Sequence, residues 1–425
     1  MAPNPLPFFA RRGVTYYVRY VSDGSSSGQT YNWHGYSASL GTTVFDDYPQ
    51  FHVSLWPEWD WVETSSGVFD WGSQHQSDPT VGKMHYAFER AYANNQLIVL
   101  RVPAGHWTPS FVYGTTGSLV PDFGFTVSGL GVTPYAMPVT FHQNWRPQLT
   151  RLANAIRSFL NTTLPDGSKY ADHILGMPLD AASDQGSEWS TGPQNTAGNV
   201  AVFDAAIDAY GSMARAADDT RSFAYPTTPG QSKQTWKQLY YSEQWEWQLR
   251  KYLALFPDVP LVVPLGQLFG DANATELNWT SRSGKNIFAN RHVIGLRTNY
   301  RPTGTNNTPA TWQGYGVAAS PALTVTDAQA LHNILSVGGR TAFQNADTST
   351  WPQPDTGVGG SMDWAVTNDL TPNWADLTFY EAGQAHMQNT GARNALARLH
   401  TSMQRRAARR VVLKTTDHKL RILTP

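Results

Sequence analysis

The chain has 425 residues, 31 of them basic and 32 acidic, for a formal charge of −1. It can bury a large core and carries no overall pull towards nucleic acid or an acidic membrane. The absence of cysteine excludes disulfides, thiolate metal sites and cysteine nucleophiles, while sixteen Trp and nineteen Tyr beside only 15% charged residues favour neutral polyhydroxylated ligands.

The opening MAPNPLPFFARR lacks the basic-then-apolar layout of a signal peptide, and no run of about 18 apolar residues is present to span a bilayer. Asn-x-Ser/Thr triplets start at Asn161, Asn273, Asn278 and Asn306, although such triplets also arise by chance. The expectation is an extracellular or surface-exposed chain, with the cytoplasm left open.

Gly13 opens a β-branched and aromatic run, GVTYYVRYV, that reads as the first strand; HVSLW at His52–Trp56 is the second. Trp56, Trp59, Trp61 and Trp71 crowd the segment after it, and Gly67 marks a turn. Residues 81–95 show the period of an amphipathic helix. Gln96–Gly105 is a continuous apolar run bounded by Pro and Gly, as expected of a strand buried on both faces. A Gly- and Pro-rich loop over about 106–142 precedes a helix at Trp145–Leu160. HILGMPLD is the fourth strand, and it runs into a loop with Asp180, Asp184 and Glu188. Helices follow around 203–216 and 234–256, then PLVVPLG as the fifth strand and His292–Tyr300 as the sixth. A helix at 326–339 leads to RTAFQNAD, and ADLTFYEAGQ at Ala375–Gln384 closes the series.

Short apolar strands alternating with helices imply an α/β protein with a parallel sheet. About eight strands favour a (β/α)8 TIM barrel with long loops at the C-terminal face of the strands. The expected organisation is a single barrel domain over 1–425, with a short basic extension at about 405–425. An open doubly wound sheet is the rival, but neither GxGxxG nor GxxxxGK[ST] is present.

In a barrel, chemistry sits beyond the carboxyl ends of the strands, where Glu188 and Glu381 stand. Glycoside hydrolysis needs two carboxyl groups flanking one bond, which makes these two the candidate catalytic pair. Glu58, Glu63, Asp180, Asp184 and Asp347 are rivals, and Glu243 and Glu246 fall on a helix where surface duty is expected. Trp56, Trp59, Trp107, Trp189 and Trp374 are candidate stacking platforms for sugar rings. Glu58, Arg101, His106, Asn299 and Tyr300 are further candidate substrate contacts, and Tyr380 is a candidate donor to Glu381. For each of these, ordinary burial or solvation is the competing explanation.

The pattern Trp59-x-Trp61-Val-Glu63, followed by Gly67-Val-Phe69-Asp70-Trp71, a helix and LIVLRVPAGHW, resembles retaining (β/α)8-barrel glycoside hydrolases of the β-galactosidase and endoglycanase clan. The resemblance implies that Arg101 is the arginine of the third strand, that an acid/base Glu follows strand four, and that a nucleophilic Glu follows strand seven. Glu188 and Glu381 resemble those placings, although Ser187 stands where the clan has Asn before the acid/base residue. RTAFQNAD counts as strand seven unless the tail RRVVLKTTDHK, at Arg409–Lys419, supplies a strand of its own and restores the count.

No cofactor or metal is expected: no HExxH or HxH cluster is present, and Asp180 and Asp184 do not repeat an EF-hand ladder. The expected partner is a carbohydrate substrate, with no nucleic acid and no membrane insertion; the oligomeric state is not legible. The alternative function is a catalytically silent barrel that binds carbohydrate or builds a virion or cell-surface assembly. The run Arg405, Arg406, Arg409, Arg410 with Lys414 and Lys419 is expected to be a solvated helix end.

Overall fold

The computed structural model describes residues 11–19, 44–112, 124–127, 135–138, 145–179, 247–264, 292–297, 339–344, 377–382, 390–410, 412–414 and 420–422. Eight strands close into one barrel: β1 (Gly13–Arg19), β2 (His52–Trp56), β3 (Ile98–Leu100), β4 (Ile174–Pro178), β5 (Leu261–Pro264), β6 (Val293–Arg297), β7 (Arg340–Gln344) and β8 (Leu377–Ala382). Each strand pairs in parallel with its neighbours in sequence, and β8 closes on β1 through Gly13↔Phe379 to Tyr16↔Ala382. The fold is the expected (β/α)8 barrel.

Side-chain alternation sorts the apolar residues into two cores. Val99, Leu175, Val262, Ile294, Ala342 and Phe379 form a small cluster of their own, which is the filling of the barrel. Their strand neighbours Ile98, Leu100, Leu261, Val263 and Val293 belong to the larger cluster, which packs outward against the helices. Strands buried on both faces must be apolar at successive positions, and for that reason they stand out in the sequence as short unbroken runs.

Gly176 is what lets this filling close. A Cβ at that position would lie 2.7 Å from Val262 Cγ2 and 3.1 Å from Phe379 Cε1, so Val262 and the Phe379 ring together occupy the room that a side chain on β4 would need. Gly176→Ala is expected to overpack the barrel and cost about 1–3 kcal/mol. Adding Phe379→Leu should recover part of that loss in urea denaturation. A Gly176→Ala protein as stable as the parent would show that the two strands do not meet in this way.

Besides the single helical turn Trp59–Val62, three longer helices cover the described part of the barrel between β2 and β5: α1 (Pro79–Ala93), α2 (Trp145–Leu160) and α3 (residues 247–255). Leu149, Leu152, Ala153, Ile156, Phe159 and Leu160 are the buried stripe of α2, spaced at i, i+3, i+4 and i+7 as an amphipathic helix requires. The span α1 is kinked at Lys83, whose φ of +41° is non-helical, so the short turn that begins at Pro79 is set off from the helix that follows Lys83. Trp71 packs beneath these helices. Its ring stacks on Phe159 at 4.8 Å and its carbonyl accepts the Met84 and His85 N–H groups.

A fourth helix, α4 (Thr390–Arg410), seals the amino-terminal floor of the barrel beside β1. Its Leu396, Leu399 and Met403 are buried. His400 Nδ1 accepts the Val14 N–H at 3.0 Å, and Gln404 donates to the Arg12 carbonyl. Buried arginines complete the floor. Arg11 donates to the Ile174 carbonyl at 2.8 Å, Arg12 to the Leu377 carbonyl at 3.3 Å, and Arg340 to the Arg11 carbonyl at 3.2 Å.

Three expectations change. Strand β3 is only Ile98–Leu100, because Pro103 has no N–H to give a ladder and the chain turns away there. The segment expected as one loop after it contains an antiparallel pair, Gly124–Val127 with Tyr135–Pro138. The tail adds no barrel strand: Val412–Lys414 pairs antiparallel with Leu420–Ile422 in a separate two-stranded sheet. RTAFQ is therefore β7, and Glu381 lies on β8, one strand beyond the place that the resemblance implies for a nucleophile. The expected helices at 203–216 and 326–339 lie outside the described residues.

Candidate active site

Three strands bring their carboxyl ends together at the mouth. Trp56 is the last residue of β2, Arg101 follows β3 directly, and Glu381 is the penultimate residue of β8. Arg101 and Glu381 are two residues beyond Val99 and Phe379, so both project into the barrel one layer above its apolar filling.

Arg101 Nη2 stands 3.7 Å from Glu381 Oε2, with the two side chains 0% and 1% exposed. The guanidinium carbon lies 4.0 Å from the centre of the Trp56 ring, a cation–π contact with both partners out of water. Trp56 in turn donates its indole N–H to Ser54 Oγ at 3.0 Å, which fixes the ring against rotation. At 3.7 Å the ion pair is electrostatic rather than hydrogen-bonded. Among the described residues neither Glu381 oxygen accepts a hydrogen bond. A buried carboxylate with both oxygens unused calls for an explanation, since such groups are nearly always satisfied in folded proteins.

The aromatic segment after β2 divides sharply. Trp59 is completely buried against Trp145, ring centres 5.5 Å apart, and donates its indole N–H to Glu63 Oε2 at 2.6 Å. It has no exposed face for a sugar ring, and its part is structural. Glu63, 1% exposed, also accepts the Gly67 N–H at 2.8 Å and Arg151 Nε at 2.8 Å. Three donors occupy that carboxylate, so it anchors the turn at Gly67, whose φ of +75° suits glycine. Removing it by Glu63→Ala would strand the buried Trp59 N–H and the Arg151 guanidinium. The expected cost is about 2–4 kcal/mol in urea denaturation; a loss below ~0.5 kcal/mol would show that the carboxylate does not hold the turn.

Glu58 is buried at 6% exposure and precedes the helical turn Trp59–Val62, its carbonyl accepting the Trp61 and Val62 N–H groups. Trp107, also 6% exposed, lies on the 3-10 turn Gly105–Trp107 after β3, together with His106; the His106 side chain lies outside the described residues. Tyr380 does not serve Glu381: it points out of the barrel into the larger core, as the residue next to an inward one must. Glu188, Trp189, Asn299, Tyr300, Trp374 and the rival acids Asp180, Asp184 and Asp347 lie outside the described residues.

Sequence reasoning passed over Ser54 and Thr15. Ser54 orients Trp56, and Thr15 on β1 is the register partner of both Glu381 and His52. A small polar residue at an inward strand position is the only signal that could have found them. Among the described residues no group of three His, Asp or Glu is placed to hold a metal ion, and no helix is long and apolar enough to cross a membrane.

The closed parallel sheet and its mouth define the class as a (β/α)8 barrel with a buried Arg–Glu pair at the carboxyl ends of its strands. No family model matches the chain, and no curated protein matches it. Among solved structures it is similar to a GH5-4 broad specificity endoglucanase from an uncultured bacterium, at a TM-score of 0.45 and 11% identity, over 93% of this chain and 95% of that one. It is also similar to an endo-1,4-beta-mannanase from Rhizomucor miehei, with a TM-score of 0.41, 9% identity and coverage of 85% and 88%. A GH5 family lichenase from Caldicellulosiruptor sp. F32 gives a TM-score of 0.41 and 10% identity, with 96% of each chain covered. These neighbours are glycoside hydrolases, but scores below 0.5 leave the barrel assignment resting on the closed sheet of this chain.

Proposed function

We propose that the chain is a glycoside hydrolase that cleaves O-glycosidic bonds in an oligo- or polysaccharide through two carboxyl groups, with retention at the anomeric carbon. The observation that carries this reading is Glu381: a carboxylate inside the barrel mouth, 3.7 Å from a compensating guanidinium, with neither oxygen hydrogen-bonded among the described residues. Such a group is held in place by charge while its lone pairs stay available. Glu381 attacks the anomeric carbon and the bond to the leaving oxygen breaks, with Glu188 delivering its proton to that oxygen. Water then attacks the glycosyl ester, its proton passes to Glu188, and Glu381 is released. Arg101 supplies the counter-charge, and Trp56 walls the mouth on the β2 side.

The near-complete burial of Arg101 and Glu381 favours a second reading, in which the pair plugs a silent barrel that only binds carbohydrate or builds an assembly. Turnover separates the two. A panel of aryl glycosides and β-linked polysaccharides is assayed with the parent protein, Glu381→Gln and Glu188→Gln. The first reading expects parent activity, product of retained configuration by NMR, and a fall of about 10²–10⁴-fold for Glu188→Gln. The Glu381→Gln loss is expected to be at least as large. Unchanged turnover in Glu381→Gln removes that residue as nucleophile, and a folded parent without turnover on any substrate supports the silent barrel.

A further inference from the structure

Charge is distributed along this chain very unevenly. Nine of the 31 basic residues but only one of the 32 acidic residues fall in the last 36 positions, which therefore carry +8 while the preceding 389 carry −9. A near-neutral whole conceals two strongly charged parts, the pattern expected of a dedicated polyanion-binding segment.

The structure shows how that segment is presented. Helix α4 spends its apolar side on the barrel floor through Leu396, Leu399 and Met403. At 3.6 residues per turn, positions 398, 405 and 409 fall within about 40° of one another on the opposite side, and Arg398 and Arg405 are exposed. The stripe runs about 16 Å along the helix axis. Further along the sequence, the paired strands Val412–Lys414 and Leu420–Ile422 contain Lys414 and Arg421.

We infer that this basic carboxyl-terminal segment is a docking surface for an acidic polysaccharide, a glycan carrying carboxylate or sulfate groups, and that it holds such a chain against the barrel. The choice of a glycan rests on the carbohydrate reading proposed above. An anionic bilayer fits less well because α4 has already committed its apolar side to the barrel and has no second one to insert. Duplex nucleic acid, with one charge per about 1.7 Å of axis, would suffer the most from the adjacent body of charge −9. Seven of the nine cations are arginines, whose planar fork matches carboxylate and sulfate oxygens in pairs.

The test is fluorescence anisotropy of labelled polygalacturonate with the full chain, between 50 and 300 mM NaCl. Binding is expected to weaken steeply with salt. Arg405→Glu/Arg409→Glu should weaken it about 10-fold or more at low salt, as two favourable contacts become repulsive. Arg405→Lys/Arg409→Lys, which keeps the charge but loses the paired fork, should fall between the parent and the charge-reversed protein. Thermal melts of both variants should match the parent, since Arg405 is exposed and position 409 falls on the same side of the helix by its spacing. The inference is overturned if the charge-reversed protein binds like the parent, if an uncharged glucan competes equally, or if duplex DNA binds more tightly at the same salt. Because binding is read without turnover, absence of hydrolysis in the enzyme panel counts against the hydrolase reading alone.

Discussion

Lowering the pH from 7.5 to 4.5 is expected to cost the folded barrel up to about 5 kcal/mol through two imidazoles at its floor. His52 on β2 and His400 on α4 meet edge to face, ring centres 4.9 Å apart. Burial, and after it the neighbouring His400, push His52 down to about 3, while the hydrogen bond to the Arg12 carbonyl acts in the opposite sense. His400 is brought down to about 4, again mainly by burial. The hydrogen bonds identify neutral rings. His52 Nδ1 accepts the Leu97 N–H at 3.0 Å and Nε2 donates to the Arg12 carbonyl at 3.1 Å, while His400 Nδ1 accepts the Val14 N–H. A proton on either Nδ1 would set donor against donor.

The sign follows from which state takes up protons. Above about pH 6.5 both imidazoles are neutral folded and unfolded, and they leave stability unchanged. Below it the unfolded chain binds two protons that the folded chain refuses until about pH 4 and about pH 3. Stability therefore falls with pH by about 1.4 kcal/mol per unit for each ring. Urea denaturation at pH 7.5, 6.0 and 5.0 measures the slope. His400→Gln is expected to remove about half of it, and a slope unchanged by that substitution would place the acid lability elsewhere.

Arg101→Met is expected to cost about 3–5 kcal/mol, because it leaves the Glu381 carboxylate buried without its counter-charge. Glu381→Leu should also be costly, since it takes a counter-charge from the buried Arg101. The double variant Arg101→Met/Glu381→Leu is expected to recover most of the loss, since two apolar side chains fill the mouth without a desolvation penalty. A urea double-mutant cycle isolates the coupling; a value under about 0.5 kcal/mol would mean that the two charges, 3.7 Å apart, do not depend on each other. The cycle also bears on function. If the double variant is as stable as the parent yet inactive on substrates that the parent turns over, the pair is retained for chemistry rather than for folding. Natural sites commonly keep such a cost.

The architecture is largely legible in the sequence. The runs HVSLW, VVP, VIGL and TAFQ stand out because a parallel strand covered on both faces tolerates few polar residues. Trp145–Leu160 was legible to the residue because a 3.6-residue period has no other reading over sixteen positions. The charge of the last 36 residues is likewise a property of the sequence alone.

Only the tertiary structure decided what the acidic and aromatic residues do. Trp56 and Trp59 are three positions apart and chemically identical, yet one stacks on Arg101 in the mouth and the other lies in the outer core. The strand's period of two, and the turn that follows it, settle which way each side chain points. Glu63 stayed a rival to Glu381 until one was found holding three donors and the other none among the described residues. The assignment of Glu381 to β8 required knowing where the tail pairs, a contact that local sequence does not encode. Arg101 and Glu381 are 280 residues apart in the chain. Their 3.7 Å approach is a consequence of barrel closure through β1, and closure is set by the register of every strand between them.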